Sequence, residues 1–319
     1  MNRKLNRRHF LAAAAESLAT AVLGGCATAQ SSTHKETTTI DSHTHFYDPS
    51  RPQGVPWPGP DDKLLYRTVL PKDYRAQPVP RRVTGTVVVE ASPWIEDNQW
   101  ILDLAARDPF IVGFVGSLPI ATGQFAPNLK RFAANKIFRG IRIGATNDHL
   151  DKTSPLLRDL KLLADHNLSL DLLGNREIIA FGSRISERVP NLRIIIDHLA
   201  GVRIDGKTPP PDWIADMNTT AKHPNIFCKV SGLVEGTNRT DGSAPRDAQY
   251  YAPVLDIMTE LFTPARLIYA SNWPVSERFA HLATVQSIID DYFTAQGEPA
   301  RQQVFSKSAQ KAYRWTSRV

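Results

Sequence analysis

Residues 192–198 read L-R-I-I-I-D-H, a β-branched apolar run closed by an aspartate and a histidine. Three consecutive isoleucines leave no polar face, so a strand here must be covered on both sides, as in parallel sheets flanked by helices. Working outward, seven more short runs of this kind stand at 37–46 (T-T-T-I-D-S-H-T-H-F), 84–91 (T-G-T-V-V-V-E-A), 110–117, 137–144, 168–173, 225–232 and 267–273. Segments of helical period lie between them, at 95–106, 127–134, 155–166, 176–188, 213–223 and 251–262, with two more after the last run. A strand, a crossover helix and another strand imply parallel pairing, and eight such units predict an α/β chain folded as a (β/α)8 TIM barrel. The first strand-to-helix junction carries no G-x-G-x-x-G, so an open dinucleotide-binding sheet finds no support.

One connection is out of proportion. Residues 47–82 are dense in proline (D-P-S-R-P-Q-G-V-P-W-P-G-P) and far longer than an ordinary βα loop. Because they follow the first strand, a barrel places them over its C-terminal mouth as a lid, with Trp57 and Tyr66 as substrate-facing groups.

In barrel enzymes the reactive groups sit at the C-terminal ends of the strands. Those ends supply Asp41, His43 and His45 on the first strand, Glu90 on the second and Arg142 on the fourth. The sixth, seventh and eighth give His198, Lys229 and Asn272. Strand alternation turns Asp41, His43 and His45 to one side, and it turns Asp197 away from the barrel axis. A histidine satisfied by a backbone carbonyl would explain any one of these residues alone. The whole polar set at the ends of apolar strands implies a shared site, since desolvated charges need partners. Three imidazoles with an oxygen ligand suit one divalent zinc or manganese, and His43, His45 and His198 are the candidate ligands.

The chain has 319 residues, 42% of them hydrophobic, and a formal net charge of +6. Part of the positive excess lies in residues 1–30, where Arg3, Lys4, Arg7 and Arg8 precede an alanine-rich apolar run too short to span a bilayer. This segment reads as an export signal, and the pair Arg7-Arg8 resembles a twin-arginine signal. Leu23-Gly24-Gly25-Cys26 resembles a lipobox, which would make Cys26 a lipid anchor, while Ala27-Thr28-Ala29 offers a cleavage site releasing a soluble periplasmic protein. Residues 31–36 form a tether and 37–319 the barrel domain. Removing residues 1–25 takes away four positive charges and one negative, and the remaining +3 calls for no nucleic-acid partner. Cys228 is then the only thiol in the body of the chain, so neither a disulfide framework nor a thiolate metal site is expected.

I-D-S-H-T-H-F (40–46), G-V-P-W-P (54–58), F-R-G-I-R (138–142), I-I-D-H-L-A-G (195–201), C-K-V-S-G-L (228–233) and Y-A-S-N-W-P-V (269–275) together resemble the amidohydrolase-related (amidohydrolase 2) family. Its lactonase branch, with fuconolactonase-like and pyrone-dicarboxylate lactonase enzymes, is the nearest likeness, and the match runs over about residues 37 to 315. The resemblance implies a distorted barrel that hydrolyses small cyclic esters. His43, His45 and His198 would bind metal or polarise the carbonyl, Arg142 would hold a substrate carboxylate or the ring carbonyl, and Lys229 and Glu90 would complete the pocket. Trp57, from the lid, and Trp273 are further candidate substrate-binding residues. The substrate would be a carboxylated or hydroxylated lactone. Two departures stand out. The fifth strand (L-S-L-D-L-L) has no histidine, which argues against two metals. Asn272 stands where relatives place the aspartate that activates water, and a carboxamide takes no proton at neutral pH. Glu90 or His198 is then the candidate base. Non-oxidative decarboxylation, known in the same family, and a lipid-anchored binding protein that has lost catalysis are the rival readings.

Overall fold

The computed structural model describes residues 38–315. The export signal, Cys26 and the tether lie outside the described residues. Eight parallel strands run in sequence order around one sheet. They are β1 (Ile40–Thr44), β2 (Gly85–Val89), β3 (Ile111–Gly116), β4 (Phe138–Ile143), β5 (Ser169–Leu172), β6 (Arg193–Ile196), β7 (Ile226–Val230) and β8 (Leu267–Tyr269). A parallel bridge from Thr44 to Trp273 closes the ring, where His45 N–H donates to the Trp273 carbonyl at 2.9 Å and Asn272 N–H to that of His43 at 3.0 Å. The barrel expectation is met strand for strand.

The helices are α1 (Pro71–Arg75), α2 (Ile95–Arg107), α3 (Phe125–Ala133), α4 (Pro155–Asp165), α5 (Glu177–Arg188), α6 (Pro211–Ala221), α7 (Leu233–Gly236), α8 (Ala248–Phe262), α9 (Leu282–Ala295), α10 (Glu298–Gln302) and α11 (Ser308–Tyr313). Several start on local signals. Ser154 caps α4 through its hydroxyl, which accepts from Leu157 N–H, with Pro155 at the first helical position; the Asp247 carboxylate caps α8.

Each strand sorts its side chains between two apolar layers. Ile194, Ile196, Cys228 and Val230 pack outward against the helices. Val87, Val89, Ile195, Phe227 and Ile268 fill the barrel interior with Tyr313 and Trp315 at its base. That two-sided burial is why the strands read as unbroken apolar runs. None of the described helices is long and apolar enough to cross a membrane.

The segment from Tyr47 to Arg82 does lie over the mouth, but it is not structureless. It contains α1, a bridge from Tyr47 to Val69, and fully buried Leu65 and Val69. Ion pairs fasten it to the rest of the chain: Arg51 to Asp97 at 2.9 Å, Arg67 to Glu277 at 2.5 Å, and Arg278 to Asp62.

Candidate active site

The site begins with a break in β1. Ile40 faces the barrel interior, so strict alternation would turn Asp41 and His43 outward together. The pairing with β2 slips between Asp41 and Thr44, and this irregularity reverses the phase. Asp41 stays with the outer layer, where its carboxylate accepts from the Tyr74 hydroxyl at 2.8 Å and from the backbone N–H groups of Ser271 and His43. Burial raises its pKa. The expected convergence of three groups is thus corrected to two: His43 turns inward, and His45 follows it beyond the strand end.

A second correction concerns β6. Arg193, Ile195 and Asp197 share the inward phase, so alternation points Asp197 at the axis and would turn His198 away. His198 reaches the site because the chain adopts left-handed backbone at His198, Leu199 and Ala200 (φ 51°, 52° and 54°), which L-residues rarely sustain in succession. Its Nδ1 pairs with the Ser231 hydroxyl at 2.8 Å, leaving Nε2 as the second ring nitrogen.

Beneath the histidines lies a buried charged layer. Lys229, fully buried, places Nζ 2.6 Å from Asp171, 2.9 Å from Asp197 and 3.0 Å from His43 Nδ1. The Tyr313 hydroxyl donates to Asp171 at 2.8 Å. Burial pushes Asp171 up to about 6 against the pull of Lys229. For Asp197 burial works the same way, but Lys229 and His43 outweigh it and hold the carboxyl well below the usual range. Lys229 is therefore not at the pocket surface, contrary to its expected contact with substrate. It pairs with two buried carboxylates and fixes the floor on which His43 rests.

Above this floor opens a cavity of about 350 Å³ lined by His45, Trp57, Glu90, Ala91, Arg142, Leu173, His198, Asn272 and Val275. A second lobe of about 380 Å³ shares Leu173, His198 and Asn272 and adds Gly174, Asn175, Gly201, Gly232, Glu235 and Gly236. Trp57 lies edge-on to His45, with ring centroids 5.9 Å apart, as the lid reading expected. Trp273 does not line the cavity. It is buried among Phe46 and Tyr74 with its indole N–H on Glu277, because alternation past β8 gives Asn272 to the mouth and Trp273 to the outer layer. Tyr66 is on the surface.

Glu90 and Arg142 form one unit. The guanidinium meets Glu90 Oε1 from both Nε, at 2.9 Å, and NH2, at 2.7 Å, and NH2 also donates to the Glu90 carbonyl. Burial raises the Glu90 pKa and Arg142 opposes the rise. A carboxylate so paired is a poor proton acceptor, and it cancels much of the charge that Arg142 would offer an anionic substrate.

Burial holds all three imidazoles neutral: His45 is pushed down to about 3 and His198 to about 4, and His43 falls well below its ordinary value. His45 Nδ1 donates to the Val89 carbonyl at 3.0 Å. Ligand atoms of His43, Asp197 and His198 lie within 4.8 Å of one another, and buried His43 Nε2 has no hydrogen-bond partner. Two nitrogens and one carboxylate oxygen are a donor set that fits zinc or manganese. The geometry thus adds Asp197 to the expected ligands and leaves His45 outside the group.

Glu235 is the residue that strand-end reading missed. It stands on α7, five residues past the end of β7, and its Oε1 accepts from Asn272 Nδ2 at 3.0 Å. Burial lifts its carboxyl to about 7.

A closed parallel barrel with imidazoles, a guanidinium and carboxyls gathered at its C-terminal mouth defines a barrel enzyme. Residues 40–315 match the sequence profile of the amidohydrolase family, and the chain belongs to that family: it is a hydrolase that acts on a small molecule. It is 31% identical to an L-fucono-1,5-lactonase of Burkholderia ambifaria over 288 residues, 86% of this chain and 95% of that protein. The fold superposes with a TM-score of 0.75 on an amidohydrolase of Burkholderia multivorans solved with bound zinc, at 22% identity over 88% of this chain and 100% of that one. A manganese-containing dihydroxybenzoic acid decarboxylase of Polaromonas is more distant, with a TM-score of 0.57 at 14% identity over 87% of this chain and 97% of that one.

Proposed function

We propose that this chain opens a hydroxylated sugar-acid lactone by adding water to the ring carbonyl. The observation that carries the reading is the neutral-imidazole pocket of about 350 Å³ in a chain 31% identical to a protein named as an L-fucono-1,5-lactonase. A neutral polyol fits better than a carboxylated ring, since Glu90 already pairs with Arg142. His45 and the Asn272 amide then meet the ring oxygens, and Trp57 covers the ring and excludes bulk water.

His43, Asp197 and His198 would hold one divalent ion. Such an ion supplies Lewis-acid polarisation of the carbonyl. Lys229 keeps Asp197 ionised and His43 in place. Arg142, fixed by Glu90, presents its remaining N–H groups to the oxygen on which negative charge develops.

The segment 1–30 is read as an export signal on its Arg7-Arg8 pair and short apolar run, placing the reaction outside the cytoplasm, with Cys26 as the lipid-bearing residue. Size exclusion of detergent extracts and intact mass of the exported protein distinguish an anchored form from a released one.

A pH-indicator assay on a panel of six-membered sugar-acid lactones tests the function. Saturable acid release is expected from the wild type, falling at least a hundredfold in His198→Asn. Carbon dioxide released from aromatic carboxylates, with no lactone turnover, would replace this reading by decarboxylation.

A further inference from the structure

Asn272 stands where the family resemblance implies a water-activating aspartate, and an amide takes no proton at neutral pH. Glu90 is occupied by Arg142, and Asp171 and Asp197 lie under the floor with Lys229. Among the described residues, the one remaining carboxyl on the cavity wall is Glu235, in the second lobe with His198 and Asn272. We propose that Glu235 is the catalytic base of this chain, taking the proton from the attacking water that Asn272 helps to orient. This rests on the lactonase reading above.

The local chemistry supports the role. Asn272 donates one amide hydrogen to Glu235 Oε1, and it lines the same cavity wall as His45. The amide therefore holds the carboxyl at the edge of the cavity that His45 and His198 line. Among the groups around Glu235, His198 is held neutral and the Tyr251 hydroxyl is bonded to the Pro245 carbonyl. On the turn packed against α7, Glu277 is paired with Arg67 and Arg278 with Asp62. No cation pairs with Glu235 among the described residues. A carboxyl raised to about 7 by burial is matched to taking and returning a proton near neutral pH.

The step balances. Water oxygen bonds to the carbonyl carbon as Glu235 takes a proton, giving a tetrahedral oxyanion. Collapse breaks the bond from that carbon to the ring oxygen, and Glu235 returns the proton to this oxygen as it leaves as a hydroxyl. The product acid then ionises in solvent.

Glu235→Gln and Glu235→Ala in the full chain test the assignment. Glu235→Gln is expected to lower kcat on the order of 10²- to 10⁴-fold with KM within about threefold. Added formate is expected to restore Glu235→Ala, and Asn272→Asp to recover at least tenfold in the Glu235→Gln background. Glu235→Gln turning over lactones within threefold of wild type would overturn the base while leaving the lactonase reading intact. A loss that neither formate nor Asn272→Asp relieves would also overturn it, in favour of a positioning role. A wild type inert towards every lactone would overturn the function first and the base with it.

Discussion

Asn272 has φ 58°, a left-handed conformation that asparagine and aspartate tolerate better than most residues. This makes Asn272→Asp an accommodated change in backbone terms, and it gives the amide its place between His45 and Glu235. Glu235 itself carries a stability signature. Its folded pKa, about 7, is raised above the ordinary 4.5, so the folded state holds a proton that the unfolded chain gives up between these values. Its contribution is fully present below about pH 4.5 and is lost as pH rises through 7, at about 1.4 kcal/mol per unit. Glu235→Gln is therefore expected to match wild type in denaturant unfolding at pH 4.5 and to exceed it at pH 8; equal offsets at both pH values would refute the assignment. Lys229 matters through its two ion pairs, with Asp171 and Asp197. Lys229→Ala leaves Asp171 and Asp197 buried without their cation and is expected to cost about 3–5 kcal/mol, read as a large drop in the urea midpoint at pH 7.5.

At the scale of elements, the strands were legible because barrel strands are apolar on both faces, and all eight runs became strands. The direction of their end residues was legible only where the strand is regular. Alternation carries through β7, so Lys229 points inward as its position implies, yet nothing in C-K-V-S-G-L reveals that it lies below the cavity. Alternation fails at β1, where the slip sends Asp41 to Tyr74, and after β6, where three left-handed residues swing His198 round. The slip in β1 has no glycine or proline to announce it, and Gly201, which ends the left-handed stretch (φ 63°), stands three residues after His198. Glu235 escaped because it lies in a loop helix, among Leu233 and Val234, where polarity pattern carries no depth. Close strand contact gives a further prediction. A Cβ on Gly140 would stand 2.6 Å from the Ser169 carbonyl oxygen of β5, an approach that backbone cannot yield. Gly140→Ala is expected to destabilise by at least about 2 kcal/mol through overpacking, measured by thermal unfolding.

For the whole molecule, the barrel brings together groups as far apart in sequence as His43 and Asn272, and the lid, pinned by Arg51, Arg67 and Asp62, sets Trp57 over them. The family was readable from six short motifs, because each marks a strand end or the lid. The depth of each residue was not, since burial depends on the closure of the ring. Protein purified without chelator is expected to carry about one zinc or manganese per chain by elemental mass spectrometry, and Asp197→Asn to reduce that content, consistent with a ligand set of His43, Asp197 and His198. The most direct test of the account is steady-state hydrolysis of a sugar-acid 1,5-lactone by wild type and Glu235→Gln side by side. Saturable turnover by the wild type, with kcat reduced a hundredfold or more in the variant and KM little changed, is the predicted result. No lactone turnover by the wild type, or equal turnover by both proteins, would contradict it.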